Sequence, residues 1–181
     1  MTHILVAALV LQLHNLAGAP PAVIDRAASE LTRVYGDMGV RVEWAQASDV
    51  ADRAVVRVVL LARETGDLRR SADTVMGAAV RTPHDTPVVY VFYQRVRAQA
   101  ERNGVSTPLV LACAMAHELG HLLMPGHGHS AHGLMRACWN RDDFQRADQG
   151  RLHFSNEQAG LIRQRVQGSA FRVQRAATAE R

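Results

Sequence analysis

Two histidines and a glutamate are spaced so that a helix would bring them to one metal ion. The segment reads His117-Glu118-Leu119-Gly120-His121. Residues four apart on a helix lie about 40° apart around the axis and about 6 Å apart along it, so both imidazoles can reach the same ion. Glu118 is turned about 100° from His117 and faces the edge of that site. Its carboxylate can therefore hold a water molecule at the metal and accept its proton.

The residues around this segment predict the helix that it needs. Thr107 and Pro108 match an N-cap followed by a proline in the first helical position, and Pro125-Gly126 ends the pattern near Leu123. Most of the helix is apolar, and polar groups in such a setting need a partner or a function. This context favours a metal site over a solvated helix face that carries two histidines.

Further candidate ligands follow the helix directly. Five of the nine histidines lie between positions 117 and 132, and those after the helix are His127, His129 and His132. A structural zinc site usually takes four protein ligands, often cysteines, whereas three histidines leave an open position for water. The cluster therefore predicts one catalytic Zn²⁺ ion, held by the two helix histidines and one downstream histidine. His132 is interpreted as a polar loop residue.

This part of the chain resembles the metzincin clan of zinc peptidases. Their pattern is a helix with HExxH, a glycine that turns the chain, a third histidine, and a methionine in a tight turn beneath the metal. The present chain reads HELGHLLMPGHGH and then HGLM, which ends at Met135. It is also similar to a group of small bacterial proteins that carry HELGHLL…HSxxGIM, with a similar order of elements over most of the chain.

The resemblance implies a fold and an activity. The fold would be α+β, with a mixed sheet, an active-site helix that carries HExxH, and a Met-turn in which Met135 supports the ligands from below. The activity would be zinc-dependent hydrolysis of peptide bonds by metal-activated water, with Glu118 as the general base. A peptide or protein would be the substrate. Because metzincins are usually exported, the resemblance also implies an extracytoplasmic or secreted location.

The third ligand is open between two histidines. The glycine of the metzincin pattern lies three residues after the second histidine, where this chain has Met124, and the third histidine lies six after it, which is His127. Pro125-Gly126, however, suits the centre of a type II turn, because glycine accepts a positive φ. If Gly126 reverses the chain, the histidine three residues beyond it is His129, which also begins the HSxxGIM-like segment. His129 is therefore favoured, with His127 as the alternative.

Other parts of a peptidase site are predicted by residue type alone. Many metzincins bind an extended substrate along an edge strand. The strand predicted over residues 88–93 is either that edge strand or an interior one. A second electrophile beside the metal would be Tyr90, Tyr93 or Trp139.

Hydrophobic periodicity predicts an α+β domain around the site. Strands are predicted over residues 9–14, 40–44, 54–62, 75–80 and 88–93, and helices over residues 20–36, 94–102 and 107–123. A last helix begins at the capping box Ser155-Asn156-Glu157-Gln158 and is expected to end near residue 167.

The domain boundaries follow from these elements. Residues 4–13 are almost wholly apolar, but no Lys or Arg precedes them and the run is too short to span a membrane. We interpret residues 1–8 as a strand extension or the stump of a truncated export signal, residues 9–168 as a single metalloprotease-like domain, and residues 169–181 as a flexible tail.

The composition of the chain limits the kinds of molecule that it is expected to bind. The formal net charge is +4, every basic residue is arginine, and the arginines are scattered along the chain. Aromatic residues are only 5% and do not interleave with a basic cluster, so nucleic-acid binding is not predicted, although a mild preference for acidic substrates is compatible with this charge. The two cysteines, Cys113 and Cys138, are too few for a disulfide framework and form either one bridge or two buried free thiols.

Three other functions are compatible with the same histidines. The chain can be a non-catalytic zinc-binding module, or a zinc hydrolase of a non-peptide substrate that shares the site and differs in the pocket. It can also be a structural or interaction protein whose histidines bind metal adventitiously and weakly. The sequence indicates neither the cleavage preference nor the oligomeric state.

Overall fold

The described residues form a mixed five-stranded sheet with five helices, which is an α+β architecture. The computed structural model describes residues 8–46, 55–64, 75–81, 87–126 and 128–179, with side chains up to residue 168 apart from residue 81. The strands are β1 (Ala8–Asn15), β2 (Arg41–Trp44), β3 (Val55–Leu61), β4 (Gly77–Arg81) and β5 (Pro87–Phe92). The helices are α1 (Pro21–Asp37), α2 (Tyr93–Asn103), α3 (Thr107–Leu123), α4 (Arg141–Asp148) and α5 (Asn156–Ala179).

The sheet is parallel except at one edge. Its strand order is β2-β1-β3-β5-β4, and only β4 runs antiparallel to its neighbour. The β-branched runs of β3 and β5 lie in the middle, where a strand has sheet neighbours on both sides and favours such residues. Of the two positions left open for residues 88–93, the structure therefore shows the interior one, and β4 forms the edge.

Helix α3 carries the HExxH segment through the centre of the core. It contacts α1, α2, α4 and α5 as well as β4 and β5. Helices that are surrounded in this way are apolar on all faces, as the sequence of α3 is between Leu109 and Ala116. Consequently His117 and Glu118 are both only 8% exposed, so their polar groups lie at the edge of an apolar interior.

Most predicted elements are confirmed to within two residues, including the capping box of α5. In that box the Ser155 backbone N–H donates to the Gln158 Oε1 atom at 2.9 Å, and the Gln158 N–H donates to the Ser155 hydroxyl at 3.2 Å. Helix α5 continues to Ala179, beyond the expected end near residue 167, because the residues after Gly168 are mostly Ala, Arg and Gln, which favour helix. Of the predicted N-terminal extension, residues 1–7 lie outside the described residues.

Two details of the helix predictions were wrong. The N-cap of α3 is Ser106, and Thr107 is already helical, so the predicted cap is displaced by one residue. Helix α4 was not predicted, because it has only eight residues and buries only a short apolar stripe. Its capping box of Asn140 and Asp143 was the signal that could have revealed it. None of the described helices is long and apolar enough to cross a membrane.

Candidate metal centre

Helix α3 brings the imidazoles of His117 and His121 together. Their Nε2 atoms are 3.1 Å apart, and their ring centroids are 4.8 Å apart with the planes nearly perpendicular. Two nitrogens bound to one tetrahedral zinc ion at about 2.0–2.1 Å would be about 3.3–3.4 Å apart. The spacing in this helix therefore fits a shared metal ion without a change of backbone.

His129 joins this pair from the loop after α3. One ligand atom from each of His117, His121 and His129 lies within 4.8 Å of the others. The ring of His129 stacks on His117 at 5.2 Å and meets His121 edge-on at 4.9 Å. These three histidines can hold a metal ion. His127, the alternative third ligand, lies outside the described residues.

The turn that precedes His129 is formed at Gly126, as expected from the conformational freedom of glycine. Gly126 has φ +88°, whereas Met124 has φ −121°. A positive φ is easy for glycine and costly for methionine, so Gly126 and not Met124 adopts the turn conformation. The expectation that Gly126 turns the chain is confirmed.

The other nitrogen of His117 is held by the backbone. Its Nδ1 atom lies 2.7 Å from the carbonyl oxygen of Leu134, which can only accept, so Nδ1 carries the proton and Nε2 is free for a metal. Burial lowers the pKa of His117 to about 4, and the neighbouring His121 and His129 lower it further in the same direction. Burial also lowers the pKa of His121. Neutral rings are the form that binds metal.

A tight turn that packs against α3 contains Met135. The Arg136 N–H donates to the Gly133 carbonyl at 3.1 Å, and the Leu134 N–H donates to the His153 carbonyl at 3.0 Å. Gly133 has φ +76°, and a β-carbon there would lie 2.5 Å from the carbonyl oxygen of His153. This position therefore requires glycine. Met135 is fully buried and packs directly against α3.

Glu118 points into the same region from the neighbouring face of α3. A β-carbon at Gly77, the first residue of β4, would lie 2.7 Å from the Glu118 Cγ atom and 2.8 Å from the Tyr90 carbonyl oxygen. The absence of a side chain at Gly77 thus makes the space for the glutamate. No donor or cation in the described part of the chain pairs with its carboxyl group, and burial raises the pKa of Glu118 to about 7.

These side chains open onto one cleft of about 240 Å³. Its walls come from the start of β4, from α2 and α3, and from the segment after Met135. The described lining residues are Val75, Met76, Gly77, Gln99, Ala114, His117, Glu118, His121, His129, Arg136, Ala137, Cys138, Trp139 and Phe144. The three candidate ligands His117, His121 and His129 therefore line the same cleft as Glu118.

Among the candidates for a second electrophile, only Trp139 reaches the cleft. Its ring meets His117 edge-on at 5.6 Å, and its indole nitrogen is buried without a hydrogen-bond partner in the described residues. Tyr93 is buried in the core, and neither it nor Tyr90 is among the described residues that line the cleft. His132, as predicted, is an exposed loop residue.

The two cysteines are not bridged. Cys113 is a buried free thiol, and Cys138 is an exposed free thiol at the cleft. The alternative of a bridge is therefore wrong. The alternative of two buried thiols holds for Cys113, which lies in α3, but is wrong for Cys138, which lies in the exposed segment after Met135.

Sequence reasoning missed several residues of the cleft wall. Val75 and Met76, just before β4, reach it because β4 packs against α3, and no local pattern indicates that contact. Arg136 directly follows Met135 of the predicted Met-turn. Its charge at that position was the one sequence signal that could have indicated a role in the cleft. Helix α2 contributes Gln99, which reads in the sequence as an ordinary polar helix residue.

The donor set is one that zinc accepts. Three imidazoles, one of them held through its other ring nitrogen by a backbone carbonyl, match the ligands and supporting contacts that zinc takes in proteins. A scan of the sequence against protein-family models found no match, and a search of curated proteins found none. The function of the chain therefore has to be argued from the geometry of this cleft.

Proposed function

We propose that the chain is a zinc-dependent peptidase, in which His117, His121 and His129 hold the metal and Glu118 is the general base. The observation that carries the proposal is the position of Glu118. A buried carboxyl group without a partner in the described residues shares one cleft with three histidines that can hold a metal. A structural metal site has no use for such a group, since burying it costs free energy.

Each protein group has a definite task in this reaction. When bound, zinc would supply Lewis-acid polarisation of the scissile carbonyl. Glu118 accepts a proton from the attacking water and later donates it to the leaving amine, which balances the hydrolysis. The Leu134 carbonyl keeps the His117 proton on Nδ1 and its Nε2 atom directed at the cleft.

The wall of the cleft supports a peptide substrate. The edge strand β4 begins beside Glu118, and Val75 to Gly77 line the cleft. An extended peptide can add to such an edge through main-chain hydrogen bonds. The cleft is smaller than the roughly 300–1,000 Å³ of pockets that enclose a small molecule, so it suits a few groups of a longer chain.

The metzincin resemblance gains support from the turns around the site. Gly126 provides the chain reversal, His129 follows three residues later, and Met135 lies buried in a tight turn against α3. We place the chain with metzincin-like peptidases in which the reversal is displaced by two residues.

Zinc content and peptide hydrolysis test this function together. We expect about one zinc per chain by mass spectrometry, and cleavage of a quenched fluorescent peptide library that stops when a chelator is added. Glu118→Gln should retain the zinc and lose cleavage by about 10²-fold or more. His121→Ala should lose both.

The competing functions give different results in the same experiment. Stoichiometric zinc without any turnover would identify a non-catalytic module. Turnover of esters but not peptides would identify a non-peptide hydrolase. Weak, substoichiometric zinc in the reconstituted wild type would contradict the metal centre itself.

A further inference from the structure

Apart from any bound metal ion, the described lining of the cleft carries one permanent positive charge. Among its described lining residues, Arg136 is the only arginine or lysine, and its side chain is 34% exposed. The histidines beside it are neutral when they bind metal. A substrate that enters the cleft therefore passes Arg136 on the wall formed by the segment after Met135.

A buried carboxylate holds this guanidinium in place. The Nη1 atom of Arg136 donates to the Asp143 Oδ2 atom at 2.7 Å, and Asp143 is 1% exposed. Asp143 is itself fixed, because the Asn140 backbone N–H donates to the same oxygen at 3.0 Å. Arginine side chains lose much rotamer freedom when they bind a ligand, and an anchored one loses less.

The anchor leaves most of the guanidinium free to bind. A guanidinium has five N–H donors, and within the described residues Arg136 pairs only with Asp143. Asp143 also interacts with Arg146, whose Nη1 atom lies 3.4 Å from Oδ1, so one carboxylate is shared by two guanidinium groups. The positive charge of Arg136 is therefore not fully compensated.

We propose that Arg136 selects substrates that present a carboxylate group in this cleft, an inference that rests on the proposed function above. Planar carboxylates match the fork of a guanidinium and form charge-assisted hydrogen bonds with it. The carboxylate comes either from an acidic side chain or from the C-terminus of a peptide. Arg136 is thus a specificity residue, and Asp143 positions it.

Two matched sets of ligands test the inference. Zinc-loaded wild type is offered peptides that differ only in Glu or Gln, each with a free or an amidated C-terminus, and kcat/KM is measured. Peptide hydroxamates that carry a Glu or a Gln side chain are the binding probes, and their affinities are measured by calorimetry. We expect the carboxylate form to be preferred by about tenfold or more.

The variants separate charge from folding. Arg136→Gln should reduce the preference to less than twofold, and Arg136→Lys should retain part of it. The double variant Arg136→Gln/Asp143→Asn also removes the buried negative charge that Arg136 partly neutralises, and it should behave like Arg136→Gln. The matched control is Arg141→Gln, which removes an exposed arginine at the start of α4 that is not among the described residues lining the cleft, and it should keep the wild-type preference.

The outcomes distinguish this inference from the peptidase proposal. Equal affinity for the two hydroxamates, together with equal calorimetric affinity for the free and the amidated peptides, overturns the role of Arg136 whether or not peptides are cleaved. An unchanged preference in Arg136→Gln overturns it as well. A preference for the Glu hydroxamate that depends on Arg136, together with no cleavage of any peptide, overturns the peptidase proposal alone. Sensitivity to amidation assigns the carboxylate to the C-terminus, and sensitivity to Glu→Gln assigns it to a side chain.

Discussion

The sulfur atom of Met135 lies 2.5 Å from the point that a β-carbon on residue 120 would occupy, so the two residues fit only because position 120 is glycine. Gly120 lies in the last turn of α3, immediately before His121. The turn that contains Met135 is therefore pressed directly against the helix that carries two of the candidate ligands. This contact connects the position of the loop to the position of the histidines.

Gly120→Ala should destabilise the protein although alanine is the better helix former. The methyl group would displace Met135, and overpacking of a core costs about 1–3 kcal/mol, partly offset by about 1 kcal/mol of helix propensity. Gly160→Ala in α5 is the matched control, since only the end of Arg163 lies within 4 Å, at 3.9 Å. It should stabilise by roughly 0.5–1 kcal/mol. Urea unfolding of both metal-free variants measures the difference, and equal stabilisation would contradict the close contact.

Gly77→Ala should impair hydrolysis more than metal binding. A β-carbon there would collide with the Glu118 side chain at 2.7 Å and with the Tyr90 carbonyl at 2.8 Å. Either Glu118 or the start of β4 must move, while the three histidines are held by other contacts. We expect kcat to fall by about tenfold or more, because a general base must lie within hydrogen-bond reach of its proton, with zinc content unchanged. Loss of zinc in step with activity would show that the clash reaches the ligands instead.

The sequence predicts those features of the site that depend on residues close together in the chain. The limits of α3 and the pairing of His117 with His121 follow from helix periodicity and from Pro125-Gly126, all within one segment. The position of β5 inside the sheet does not, because it depends on pairing with β3, which is distant in the chain, on one side and with β4 on the other. Nor does any local pattern identify Gly77 as the space for Glu118, since the two residues are far apart in the sequence.

The third metal ligand should be identified by single substitutions. His129→Ala should reduce bound zinc by at least tenfold, because removing one of three protein ligands leaves too few to hold the ion tightly. His127→Ala should leave zinc bound, as should His132→Ala, which alters an exposed loop residue. Mass spectrometry of the reconstituted proteins after dialysis provides the measurement. Zinc loss in His127→Ala with retention in His129→Ala would reverse the assignment.

The metal-free Glu118→Gln variant should become more stable than the metal-free wild type as the pH rises. Burial raises the pKa of Glu118 from 4.5 to about 7. Between these two pH values the folded wild type binds more protons than the unfolded wild type. The contribution of Glu118 to the stability of the wild type is therefore present below pH 4.5 and is lost as the pH rises through 7. Glutamine lacks this loss, so the variant should gain relative to wild type by on the order of 3 kcal/mol from pH 4.5 to above pH 7.

His117 changes stability in the opposite direction and cancels in that comparison. Its pKa is lowered from 6.5 to about 4, mainly by burial, so its contribution is present above pH 6.5 and is lost as the pH falls to about 4. Both proteins contain it. Chelator-treated samples unfolded in urea at several pH values supply the data, and a pH-independent difference between the two proteins would show that the Glu118 carboxyl group titrates normally.

The two thiols should react with Ellman's reagent at very different rates in the native protein. Burial raises the pKa of Cys113 to about 12, and since only the thiolate reacts, about 10⁻⁴ of it is reactive at pH 8. Cys138 is exposed at the cleft, so it should account for a fast phase of about one thiol per chain, and Cys138→Ser should abolish that phase. Denaturant should expose both thiols without reductant, and the absence of free thiols there would mean that the cysteines are bridged.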